Sequence, residues 1–159
     1  YHAAGNEIET LLVGNYADAG FLVESARAEL GETAATRVYR YLERNGGDPA
    51  GDRVADIDYR GNVHPTQFWQ GYSLGNVKDR PFGAIWADES NPLLARLRDR
   101  PAHLSGRCRD CRYRAVCGGG SPLRSLAVHG DPLAPDPQCY LTAEERAGEI
   151  PAADGTAAD

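Results

Sequence analysis

The apolar positions of this 159-residue chain change their period several times. Residues 7–13 (Glu-Ile-Glu-Thr-Leu-Leu-Val) form a short, largely apolar run closed by Gly14-Asn15, which predicts a buried strand. From Asp18 to about Asn45 the spacing turns helical. Leu22, Ala26 and Leu30 make one turn-spaced row; Ala34, Val38 and Leu42 make another, widened by Tyr41. Gly31 between the rows should break or bend the element, and Gly46-Gly47 should stop it. Asp48 to Asp52 reads as a polar linker.

Residues 54–68 predict a β-hairpin. Val54 to Tyr59 alternates, Arg60-Gly61-Asn62 turns, and Val63 to Phe68 returns. Gly75-Asn76 reads as a further turn, and Pro81 to Ala87 as one short helix. Asn91-Pro92 is a cap followed by a first-turn proline, leading into Leu93, Leu94 and Leu97. Ser121-Pro122 repeats that signature for a helix ending at Gly130, and Thr142-x-x-Glu145 is a capping box opening a last helix. The segment 105–140 holds cysteines, arginines, glycines and prolines with few apolar runs, so it should wrap something rather than make its own core. The residues after Ile150 predict a disordered tail.

Composition narrows the function. With 17 Lys plus Arg against 23 Asp plus Glu, the net charge is -6, which argues against nucleic acid as the main partner. No apolar stretch approaches the length of a membrane span, and no signal segment opens the chain. Four cysteines in such a chain read as thiolate ligands in a reducing, cytoplasmic compartment. The first strand has no sequence partner and the chain lacks Met, so an upstream neighbour is expected.

Cys108, Cys111, Cys117 and Cys139 form C-x2-C-x5-C-x21-C. A tight turn lets the first two converge on one centre, and the other two must close the cage from elsewhere. Zinc sites usually use two C-x2-4-C pairs, and only the first pair here fits. Disulfides are a third reading, opposed by the missing signal. A 4Fe–4S cluster suits four thiolates. It carries negative charge, so it favours nearby N–H groups and cations. Gly118-Gly119-Gly120 offers bare backbone, and residues 96–124 carry eight arginines (96, 98, 100, 107, 109, 112, 114 and 124) against Asp99 and Asp110. Arg96, Arg98 and Arg100 read as a solvated helix face; the arginines among the cysteines read as charge compensation.

Together with Asp131-Pro132-Leu133-Ala134-Pro135-Asp136-Pro137-Gln138-Cys139-Tyr140-Leu141, this cysteine pattern resembles the C-terminal auxiliary-cluster region of radical SAM enzymes of the SPASM/twitch type. The stretch Ala55 to Trp69, with Gly61, His64-Pro65 and Gln67, followed by Ser73-Leu74-Gly75-Asn76-Val77, is similar to the haem d1 biosynthesis enzymes and their tetrapyrrole-modifying relatives. The resemblance runs from about residue 8 to 145, and its first departure lies in the cysteines. The cysteine positions of a first auxiliary cluster are occupied by other residues, Thr66 and Ser121 among them, while all four of the second are present.

The resemblance implies one auxiliary 4Fe–4S cluster, fully ligated by Cys108, Cys111, Cys117 and Cys139 and suited to electron transfer. It implies a tetrapyrrole substrate whose propionates are modified, with His64, Gln67 and Arg124 as substrate-binding candidates and His64 as the candidate catalytic residue. It also implies a ferredoxin or flavodoxin donor and an N-terminal radical SAM barrel carrying a second 4Fe–4S cluster and S-adenosylmethionine. The C-x3-C-x2-C motif of that barrel is absent from these residues, so the chain alone should be inactive. Phe68, Trp69, Tyr72 and Trp86 read first as core, although an aromatic wall suits a flat macrocycle.

The expected fold is α+β: a β-hairpin with helices and a loop-rich four-cysteine segment, preceded by the last strand and helix of a partial (β/α) barrel. The expected division is a barrel remnant over 1–47, an auxiliary-cluster domain over 48–145 and a disordered tail over 146–159. Alternatives from other classes are a zinc-stabilised interaction module without catalysis, and a maturase of the same superfamily acting on haem or a peptide.

Overall fold

The computed structural model describes Gly5 and residues 14–149. The strand expected over 7–13 and the tail beyond Glu149 lie outside the described residues. Within them the architecture is α+β: helices and a small three-stranded antiparallel sheet.

Helices α1 (Asp18–Leu30) and α2 (Glu32–Asn45) form a hairpin broken at Gly31, whose φ of 87° takes the chain into the next helix. Gly46, in the left-handed conformation, closes α2 and returns its N–H to the Leu42 carbonyl. The buried row of α1 is Ala19, Gly20, Val23 and Ala26. Leu22 and Leu30, expected inside, are exposed. Small residues win that face because α1 approaches closely: a Cβ on Gly20 would sit 3.2 Å from both Tyr113 and Leu141. On α2 the buried residues are Ala35 and Tyr39, with Val38 and Leu42 packed beside them and Tyr41 exposed.

One core joins Ala17, Ala19, Val23, Ala35 and Tyr39 to Cys111, Tyr113, Val116 and Leu141. The helical hairpin therefore shares its interior with the cysteine segment, across the boundary expected at residue 47. A polar clamp edges this core. The Glu24 carboxylate accepts from Arg112 Nη2 at 2.6 Å, and also from Arg27 and the Tyr113 hydroxyl. Burial alone would raise the Glu24 pKa, but these donors outweigh it and hold it below the usual value. A carboxylate lowered in this way stabilises the fold fully above its unfolded value near pH ~4.3, and that contribution fades as pH falls through the folded value. The urea midpoint of the wild-type chain should therefore drop between pH 6 and pH 3.5 more steeply than that of Glu24→Gln. Parallel curves would show that the clamp carries no linkage.

Strands β1 (Asp56–Ile57) and β2 (Asn62–His64) pair with Asp56 opposite His64 and Ile57 opposite Val63. Asp58 ties the turn, accepting from the backbone N–H groups of Arg60 and Asn62 at 2.9 and 2.8 Å. Gly75-Asn76, expected as a turn, is instead a third strand, β3, with Gly75 opposite Val63. Two residues hold no alternation to read. Their pairing is secured from outside by Ile85, whose side chain would lie 3.3 Å from a Cβ at Gly75.

Ile85 belongs to the short helix α3 (Phe82–Trp86). Asn91 caps α4 (Pro92–Arg98) as expected, its side chain accepting from the N–H groups of Leu93 and Leu94. Helix α5 (Arg100–His103) follows after Asp99. The arginines here correct the solvated-face reading. Arg98 stacks 4.8 Å over Trp86 and donates to the Trp86 carbonyl, and Arg96 meets Asp131 at 3.1 Å. Arg100, only 3% exposed, donates to the carbonyls of Leu97, Asp48 and Ala50. A guanidinium carries five donors, so it can staple a linker that offers only carbonyls; alternating i, i+2 positions conceal this in the sequence.

Candidate metal centre

The cysteine segment is short-range structure held by side chains. Cys108 ends a 3-10 turn (Gly106–Cys108), and the Cys111 N–H points back to the Cys108 carbonyl. Cys117 ends helix α6 (Arg114–Cys117), with its N–H 2.8 Å from the Tyr113 carbonyl. Helix α7 (Pro122–His129) then leads away and is closed by left-handed Gly130. The chain returns through 131–139 to Cys139 before the capping-box helix α8 (Ala143–Arg146).

All four cysteines are free thiols and line one pocket, together with Gly119, Gly120, Tyr113 and Asp136. Burial pushes the Cys117 thiol up to about 12 and Cys108 up to about 11, with the neighbouring cysteines adding to both; burial raises Cys111 as well. Three thiols raised in this way need a cationic centre between them to ionise together. The donor set thus suits a metal group. Among the described residues, no three His, Cys, Asp or Glu side chains are grouped as a ready single-ion site.

Three consecutive glycines make the turn after Cys117 possible. Gly118, Gly119 and Gly120 have φ values of 61, 80 and 86°. They are also packed. A Cβ at Gly119 would stand 2.3 Å from Leu104, and one at Gly120 would stand 2.3 Å from an Asp136 oxygen. Gly47 presses on the Cys117 peptide from the end of α2, where a Cβ would fall 2.2 Å from its carbonyl oxygen.

Asp136 is the residue that sequence reasoning passed over. It is 2% exposed, and its carboxylate accepts from Ser121 N–H at 2.7 Å, Gln138 N–H at 3.0 Å, and Arg124 Nε and Nη2 at 3.0 and 2.6 Å. Its backbone carbonyl accepts from Cys139 N–H. Burial would raise its pKa, but Arg124 and the backbone donors outweigh that and lower it. The Asp-Pro-x-Cys turn at 136–139 was the available signal. Ser121, expected as a side-chain cap for α7, makes no such bond; its own N–H is what Asp136 takes.

The arginines around the pocket hold backbone as well as charge. Arg107 donates to the carbonyls of Asp136 and Cys139, Arg112 to that of Glu145, Arg114 to that of Arg109 and Arg146 to that of Arg107. Arg124, a substrate candidate from sequence, is committed to Asp136 and to the Gly14 carbonyl. His64 is buried, with Nδ1 2.7 Å from the Tyr72 carbonyl and Nε2 3.4 Å from Asp58. Gln67 is exposed and accepts from the Thr66 hydroxyl. Neither His64 nor Gln67 lines the cysteine pocket.

Residues 49–112 match the SPASM family, an iron-sulfur cluster-binding domain. The chain is 43% identical over 141 residues to pre-heme d1 synthase of Dinoroseobacter shibae, covering 89% of this chain and 35% of that protein. The chain carries a SPASM-type domain. Fe-coproporphyrin III synthase of Methanosarcina barkeri is 40% identical over 148 residues, or 91% of this chain and 37% of the relative. PqqA peptide cyclase of Methylobacterium sp. is 32% identical over 95 residues, or 58% and 24%. The chain thus spans about a third of the length of the two relatives that it matches along most of its own length. No solved structure matches. The SPASM match ends at residue 112, so Cys117, Cys139 and the Asp136 hub lie beyond it. Among the described residues, no helix is long and apolar enough to cross a membrane.

Proposed function

We propose that this chain is the auxiliary-cluster part of a radical SAM enzyme that modifies a tetrapyrrole, and that Cys108, Cys111, Cys117 and Cys139 hold one 4Fe–4S cluster. The observation that carries the reading is the common pocket of these four buried or half-buried thiols, enclosed by bare glycine backbone and arginines. Such a cluster supplies one-electron transfer. With every iron taken by a thiolate, electron relay suits it better than substrate coordination. The chain's own residues set the sulfurs, exclude water with Tyr113 and Leu141, and balance charge with Arg107, Arg112 and Arg146.

The substrate reading is a haem d1 precursor whose propionates are altered; its support is the 43 and 40% identity to the two tetrapyrrole synthases. In the whole enzyme a barrel with its own cluster and S-adenosylmethionine would initiate the chemistry, residues 1–47 would end that barrel, 48–145 would form the auxiliary domain together with Arg146 of α8, and the residues beyond that helix a tail. Exposed Phe21, Leu22, Leu30 and Tyr41 on the helical hairpin support a covering neighbour there. A ferredoxin or flavodoxin donor and a cytoplasmic setting suit a thiolate-held cluster.

The test is Cys139→Ser in an enzyme joining this chain to its barrel. Product formation should fall at least about tenfold while cleavage of S-adenosylmethionine to 5′-deoxyadenosine continues. Undiminished turnover would refute the relay. This chain incubated alone with reductant and S-adenosylmethionine should release no 5′-deoxyadenosine.

A further inference from the structure

An open trough of about 560 Å3 lies between residues 68–72 and helices α4 and α7, sharing no lining residue with the thiol pocket but close to it along the chain. Its walls are Phe68, Tyr72, Leu93, Leu123 and Leu126, with Arg96 at the edge. A volume of that size is ordinary for a small-molecule site, and so is an apolar lining with a few polar groups. Phe68 is 72% exposed beside it, a large aromatic surface that a monomeric chain gains nothing by presenting to water. Trp69, from the same loop, is buried and supports the wall, while Trp86 is held elsewhere by Phe82 and Arg98.

We infer that this trough receives the face of a carboxylated tetrapyrrole, with Arg96 meeting one of its peripheral carboxylates. The inference rests on the tetrapyrrole reading above and gives that substrate a place on this chain. A macrocycle is broad, flat and apolar on its faces and anionic at its rim. The trough offers aromatic and aliphatic walls with one cation at its margin. Arg96 commits Nη2 to Asp131 at 3.1 Å, leaving other donors of its five-donor fork for a second carboxylate. Sugars and nucleotides would find few hydrogen-bonding partners on these walls. The trough is also near the cluster pocket: Leu123 follows Gly120 by three residues, and Leu126 lies one helical turn further along α7.

The probe is iron coproporphyrin III, titrated into the whole chain and followed by its Soret band and by quenching of tryptophan fluorescence. Leu126→Glu and, separately, Leu93→Glu place a carboxylate against the macrocycle and should raise Kd by at least about tenfold. Arg96→Gln should raise Kd several-fold for the free acid and leave that of the tetramethyl ester unchanged. Leu22→Glu, on the exposed face of α1, should leave Kd as in the wild type. The inference is overturned if the wild-type chain does not bind the porphyrin, if both trough variants bind as the wild type does, or if Leu22→Glu is the variant that loses binding. Porphyrin binding by the enzyme joined to its barrel that both trough variants leave unchanged would overturn the trough alone, whereas no binding by that enzyme would overturn the tetrapyrrole reading as well.

Discussion

Asp136→Ala should destabilise the chain by about 1.5–3 kcal/mol, the cost of removing a buried carboxylate that accepts several hydrogen bonds from a half-buried arginine and backbone N–H groups. The variant removes the carboxylate from between Arg124 and two backbone N–H groups. Three consequences follow from that geometry. The Ser121 N–H at the start of α7 loses its acceptor inside the fold. Arg124 keeps only the Gly14 carbonyl. The turn that presents Cys139 loses its Asx bond to Gln138. The variant should therefore unfold at lower urea and retain much less iron after anaerobic reconstitution. Asp136→Asn keeps an acceptor oxygen but not the charge and should fall between the two. A wild-type urea midpoint together with full iron content in Asp136→Ala would show that the hub has no role in placing the fourth thiol.

Gly120→Ala should cost roughly 2–5 kcal/mol, from a left-handed backbone strained by a Cβ and from overpacking. Its φ of 86° is one part; the 2.3 Å approach of the new Cβ to the Asp136 carboxylate is the other. Gly130→Ala separates the two, because Gly130 has a φ of 72° with nothing within 4 Å of its Cβ position. It should cost only about 1–2 kcal/mol and leave the iron content intact. Equal destabilisation of the two variants would mean that backbone strain is the whole effect and the close packing on Asp136 is immaterial.

Much of the scaffold could be read in the residues because local chemistry decided it. Gly31 breaks the first helix, Asn91 caps α4, and Thr142 with Glu145 forms the capping box as expected. The hairpin turn at Asp58–Gly61 follows from an Asx bond and a positive φ. What could not be read depended on distant partners. Val23 rather than Leu22 faces inward because Tyr113 and Leu141, about a hundred residues on, leave α1 room only for small side chains at the contact. Strand β3 exists because β2 offers it an edge and Ile85 covers it.

The site divides in the same way. The gathering of the four cysteines in one pocket was legible from their spacing. The arginines were legible as charge but not as staples. Arg96, Arg98, Arg100 and Arg124 each hold a segment that is remote in sequence, and no local pattern shows which carbonyl or carboxylate a guanidinium will reach. His64 drew notice as an isolated histidine, yet both its ring nitrogens are occupied within the chain.

Mössbauer spectroscopy of the chain reconstituted anaerobically with 57Fe and sulfide tests the common centre most directly. A 4Fe–4S signal with about four irons and about four sulfides per chain is the expected outcome, lost in Cys117→Ser. A colourless chain that binds one zinc tightly and shows no cubane iron would contradict it.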